Sequence, residues 1–224
     1  KLIRVFVLSI LCVFFFQSLT AQTLTVKDEI DKNYQSALAL FKLNNYQEAL
    51  PIILTGLEKA EEIQDKNLIG YGYFYQSRYY ERKGPYSQSI DLLHKALRIF
   101  EELIDRAQIA RCHYKLGFNY FKNAQYDLSL ENYLISLKLD EELDYKPGIG
   151  LTLERIGKLY LTTGDFYKAR SNFERALGIF RELNDEYRIL MNELCIGVTY
   201  QKEAMKYERD EIFYQAIGIY EETL

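Results

Sequence analysis

Leu153 to Asp185 reads LERIGKLYLTTGDFYKARSNFERALGIFRELND, and its apolar and small residues fall into two runs broken at Gly164-Asp165. In the second run Phe166, Ala169, Phe173, Ala176, Leu177, Phe180 and Leu183 follow at steps of three and four, which traces one face of a helix. Glycine suits the end of the first helix because it accepts left-handed backbone without a steric cost, and Asp165 can cap the second by accepting from its exposed N–H groups. The stretch reads as a helical hairpin.

The hairpin recurs along the chain at an offset of 40 residues. Small residues return at Ala37, Ser77, Gly117, Gly157 and Gly197, and three positions later come Leu40, Tyr80, Tyr120, Tyr160 and Tyr200. Tyr46, Tyr86, Tyr126 and Phe166 open the second run of each unit. Its own small positions are Ala49, Ser89, Ser129 and Ala169, followed by Ile53, Leu93, Tyr133, Phe173 and Phe213 and then by Gly56, Ala96, Ser136, Ala176 and Ala216. Gly84-Pro85 marks the turn of the second unit as Gly164-Asp165 does that of the fourth, with proline suited to a first helical position. Glycine inside a helix costs about 1 kcal/mol relative to alanine. Close approach of the paired helix, with the aromatic one turn on filling the groove, is the expected compensation at Gly117, Gly157 and Gly197. Two units are irregular: Pro51 lies inside the second helix of unit one, and in unit five Lys206 and Arg209 replace the aromatic and small residues, so that helix is expected to start late or pack differently.

Taken together these residues resemble the tetratricopeptide repeat. Leu116-Gly117 with Tyr120, and Ile156-Gly157 with Tyr160, Ala169, Phe173 and Ala176, carry its pattern. The likeness covers about residues 28–224, with units at 28–67, 68–107, 108–147, 148–187 and 188–224. The period is longer than the family's usual ~34 and a closing proline is missing, as in the long-helix branch typified by kinesin light chain. The resemblance implies an all-α right-handed superhelix of about five antiparallel helix pairs, with the first helix of each pair lining a concave groove where extended peptides bind. It places Tyr34, Leu38 and Phe41, then Tyr71, Phe74, Arg78 and Arg82, then Arg111, Tyr114 and Phe118, then Glu154 and Lys158 in that groove. The family's carboxylate clamp needs lysines where Tyr34, Phe74 and Tyr114 stand, so a chaperone tail is not the expected ligand. Tyr80 and Tyr86 follow the repeat and read as structural, whereas Tyr75 and Tyr79 are assigned to no face. Lys42, Arg82, Lys122 and Lys202 recur in the last turn of each first helix, where a cation favours the helix dipole.

Nothing in the sequence points to catalysis, a metal or a cofactor. No His-Glu-x-x-His, Cys-x-x-Cys, phosphate-binding glycine loop or Gly-x-Ser-x-Gly elbow occurs, and the two histidines, His94 and His113, sit at surface or packing positions. Carboxylate pairs such as Glu61-Glu62 and Glu101-Glu102 return once per unit, which suits a structural role, since an active site is built once.

The opening KLIRVFVLSILCVFFFQSLTAQ differs from the rest: Lys1 and Arg4 precede an apolar run from Val5 to Phe16. That run is short of the roughly 20 residues that cross a bilayer. Residues 1–21 read as a signal peptide cut after Ala21, or as an uncleaved membrane anchor, since Leu19 stands where a small residue is preferred. Without Lys1 and Arg4 the formal net charge moves from −4 to −6, which argues against a nucleic acid partner. The expectation is therefore a non-catalytic, exported scaffold, periplasmic or otherwise extracytoplasmic, that binds a protein or peptide, with self-association through the last repeat open. The alternative is the sensor region of a larger signalling protein whose histidine kinase or DNA-binding output lies beyond residue 224. A cytosolic regulator is a third reading, and requires that residues 1–21 not export the chain.

Overall fold

The computed structural model describes residues 23–207 and 210–223. The expected signal or anchor segment, residues 1–21, lies outside them. Among the described residues there are ten helices and no strand. Residues 23–42 are helical (α1). They are followed by α2 (Tyr46–Glu62), α3 (Lys66–Lys83), α4 (Tyr86–Glu102), α5 (Arg106–Lys122), α6 (Tyr126–Glu142), α7 (Lys146–Thr163), α8 (Phe166–Glu182), α9 (Glu186–Tyr207) and α10 (Asp210–Thr223). The chain divides into two compact units, one through Leu103 and one from Ile104. In the first, α3 packs on α2 and α4. In the second, each helix from α5 to α10 packs on the next, and the first helices of successive pairs also touch, α5 with α7 and α7 with α9.

The turns are built alike. One residue with positive φ follows each of the helices α1 to α8, at Asn44, Gln64, Gly84, Ile104, Ala124, Asp144, Gly164 and Asn184, always 20 residues apart. The 40-residue period is thus two equal half-periods, each a helix and a left-handed turn that ends it. The next residue caps the following helix at four of the turns. Asp65, Asp105, Asp165 and Asp185 each accept at 3.1 Å from the N–H three positions on. Pro85 stands just before the first residue of α4 instead of inside it.

The small positions bring the helices of a pair together, although the filling ring comes from elsewhere than expected. A Cβ on Gly117 would lie 2.6 Å from the Tyr133 ring, and one on Gly157 2.8 Å from Phe173. Both rings belong to the second helix of the pair and not to the next turn of the same helix. Where serine replaces alanine it adds a bond across the pair: Ser89 Oγ donates to Ser77 O (3.0 Å) and Ser129 Oγ to Gly117 O (2.7 Å). The recurring carboxylates join the open ends of the pairs, Lys66 to Glu102 at 2.6 Å, Arg106 to Glu142, and Lys146 to Glu182 at 2.7 Å. In the last pair the turn signal fails. The α9 helix runs to Tyr207, and α10 begins at Asp210, later than the register position of Lys206. Gly197 meets Tyr220 there, at 2.8 Å from a built Cβ.

Candidate peptide-binding face

In the unit through Leu103, the residues expected in a groove divide by burial. Tyr34, Phe41 and Phe74 are 3%, 5% and 2% exposed and pack between helices. Tyr34 shows why: its hydroxyl donates to Leu68 O at 3.0 Å, its ring lies 5.3 Å from Tyr75, and Gly56 and Gly72 leave the space it fills. Burial pushes its phenol above the ordinary range. Tyr71 is half-buried, stacked 5.9 Å from Tyr75 and edge-on to Phe100 at 5.4 Å. Leu38 and Arg78 are half-buried and Arg82 is exposed. The Arg78 guanidinium sits 4.8 Å above the Phe41 ring, and that of Arg82 lies 5.8 Å from Tyr46.

The unit from Ile104 gathers more charge. Lys115, Phe118 and Lys122 share a face of α5 at steps of three and four. Around the half-buried Phe118 ring lie the Lys115 ammonium at 5.8 Å, the Lys122 ammonium at 5.6 Å and, from α7, the Arg155 guanidinium at 5.3 Å. Arg155 Nε also donates to the Tyr114 hydroxyl at 3.1 Å, which fixes the guanidinium between the two rings. Arg111 is exposed and donates to Gln108 at 2.7 Å.

Glu154 and Lys158 are tied to each other. Glu154 is 4% exposed, and its carboxylate takes Lys158 on one oxygen and Arg188 of α9 on the other, at 2.8 Å. Burial alone would raise the Glu154 carboxyl, but the bond to Lys158 and the charges of Lys158, Arg188 and Arg155 outweigh it, and the group titrates below its ordinary range. This network links α7 to α9. Lys115, Arg155 and Arg188 escaped the sequence reading. The repeat register held a signal for two of them: Gln35, Tyr75, Lys115, Arg155 and Cys195 form one column, beside the column that was read.

Among the described residues no group of three or more His, Cys, Asp and Glu is placed to hold a metal ion. His113 Nδ1 lies 2.9 Å from Asn132 Oδ1, a packing contact within the α5–α6 pair. Cys112 and Cys195 are not joined in a disulfide. No described helix is long and apolar enough to cross a membrane.

Residues 108–182 match the tetratricopeptide repeat family model, and the described helix pairs have that fold. No curated protein matches the sequence. Several solved structures share the architecture at low identity. A Podosopora anserina putative kinesin light chain with nearly identical TPR-like repeats superposes with a TM-score of 0.69 at 15% identity, over 88% of this chain and 97% of that one. A Rap protein complexed with competence and sporulation factor gives 0.70 at 19%, over 87% of this chain and 55% of that one. Aspartyl phosphate phosphatase F from Bacillus subtilis gives 0.71 at 18%, over 93% and 55%. These likenesses show that the tetratricopeptide-type fold extends beyond the matched repeats.

Proposed function

We propose that the chain is a non-catalytic binding scaffold that takes an acidic peptide segment on the first-helix face of the unit from Ile104. The convergence of Lys115, Lys122 and Arg155 on Phe118 carries the reading. Three cations around one ring repel one another, and an anionic side chain laid among them relieves that repulsion while the aromatic surface supplies contact area. The carboxylate next to them, Glu154, is buried and already holds Lys158 and Arg188, so it leaves the face positive. The Rap structure, complexed with competence and sporulation factor, supports ligand binding by this type of fold.

The test is fluorescence anisotropy with two labelled decapeptides of equal apolar content, one rich in Asp and Glu and the other in Lys. The acidic peptide is expected to bind at least tenfold more tightly and to weaken with salt. Lys115→Glu with Lys122→Glu is expected to abolish binding; equal binding of both peptides, or no effect of the double substitution, would remove the proposal. Export is a separate part of the reading and rests on the composition of residues 1–21. A secretion reporter fused behind them should leave the cytoplasm, and a reporter retained there would count against export.

A further inference from the structure

The α6 helix keeps Tyr133 and Leu137 in the core but differs from α4 and α8 at other positions of both faces. Its buried face carries Asn132, Ser136 and Asp140, where α4 has Leu92, Ala96 and Phe100, and where α8 has Ala176 and Phe180 against the latter two. Its outer face carries Leu134 and Ile135, 50% and 36% exposed. The same two positions hold His94 and Lys95 in α4 and Glu174 and Arg175 in α8. Leu128, also exposed, stands where α4 has Gln88 and α8 has Lys168. Single exposed leucines are ordinary. Leu134 shares its column with the exposed Leu54 of α2, but Leu128 and Ile135 add two further apolar positions, and three together on one helix mark a surface that something covers.

The charges beside the patch indicate what covers it. Glu131, Leu134, Ile135 and Lys138 lie at i, i+3, i+4 and i+7, on one side of the helix. The midpoint between Glu131 and Lys138 is also the midpoint between Leu134 and Ile135. A second α6 laid antiparallel across a two-fold axis through that point sets each Glu131 against the other copy's Lys138, and each Leu134 against the other copy's Ile135. Lys138 also lies 4.0 Å from Glu142 of its own chain, an exposed contact that it can exchange for Glu131 of the other copy. The same axis sets Asp127 against the other copy's Glu142, whose charge Arg106 offsets within the chain, and Glu141 is held by Arg175 at 3.7 Å.

We infer that the chain forms a symmetric dimer through the outer face of α6, an isologous contact of the patch with itself. This surface differs from the last repeat, and it leaves the face around Phe118 on another side of the hairpin. One helix against one helix is a small interface, so the dimer is weak, with a dissociation constant on the order of 10–100 μM.

Sedimentation equilibrium of the whole chain from about 1 to 300 μM, which brackets that constant, tests the inference. A monomer–dimer equilibrium is expected. Ile135→Lys should weaken it by about tenfold or more, and so should Glu131→Lys, whereas Glu131→Lys combined with Lys138→Glu should restore it to within about threefold, because the pairing is reversed in both copies. All three positions are exposed, and circular dichroism should show each variant folded. A chain that stays monomeric throughout, a dimer indifferent to Ile135→Lys, or a double reversal no tighter than Glu131→Lys alone would each overturn it.

Discussion

Among the eight turn residues with positive φ, Ile104 is the odd one. Glycine at positions 84 and 164 and asparagine at 44 and 184 suit left-handed backbone, whereas a β-branched side chain crowds the adjacent peptide and costs about 1–2 kcal/mol. Ile104 is 78% exposed, so burial returns little of that cost. Ile104→Asn should stabilise the protein by about 1 kcal/mol and raise Tm by about 2–4 °C. An unchanged or lowered Tm by differential scanning calorimetry would show that the side chain earns its place there. The residue itself spells the turn at Gly84 and Gly164, whereas at Ile104 and Asn184 the recurring unit ends, residues 101–105 and 181–185, mark it by register. At Ala124 only the spacing of the neighbouring turns gives it away.

At the scale of a helix pair, two glycines of the same unit should respond in opposite directions. Gly157 faces Phe173, which is fully buried, with a built Cβ only 2.8 Å from the ring, so Gly157→Ala should destabilise by about 1–3 kcal/mol despite alanine's better helix propensity. Gly178 lies exposed within α8 with nothing within 4 Å of a built Cβ. There Gly178→Ala should stabilise by about 0.5–1 kcal/mol. Urea midpoints of the two variants check this, and a shift of the same sign in both would refute the packing account. Repeat spacing makes these elements readable in the sequence. It could not divide the tyrosine-rich α3, where Tyr75 is the buried link among Tyr34, Tyr71 and Phe74, because helical period alone does not separate an interface between successive pairs from an open face. For the same reason the sequence does not show that Tyr34, Phe41 and Phe74 are buried between helices, nor that Lys115 and Arg155 join Lys122 around Phe118.

For the protein as a whole, two buried carboxyls pull the pH dependence of stability in opposite directions. Burial raises Asp140 to about 6, so its favourable contribution is complete below the unfolded value, near 4, and is lost as pH rises through about 6. Glu154 is held low, so its contribution is present above the unfolded value and is lost as pH falls below it. Stability should therefore be greater near pH 5 than at pH 7.5. Asp140→Asn should remove much of that difference, stabilising by on the order of 2 kcal/mol at pH 7.5 and hardly at pH 4. Urea denaturation at the three pH values measures it, and an equal effect of the substitution at pH 4 and pH 7.5 would rule out titration of this carboxyl.

The equal spacing of the turns makes the chain behave like a screw thread. One residue inserted within a helix would turn everything after it by about 100°, carrying core residues to the surface, whereas an insertion of whole turns leaves the faces nearly in place. The last pair follows this rule. Gly197 finds its ring at Tyr220, seven residues past the register position of 213, and seven residues are within about 20° of two full turns. Length changes inherited by this fold should accordingly come in steps of three or four, seven, or a whole 40-residue period, with other lengths confined to the turns.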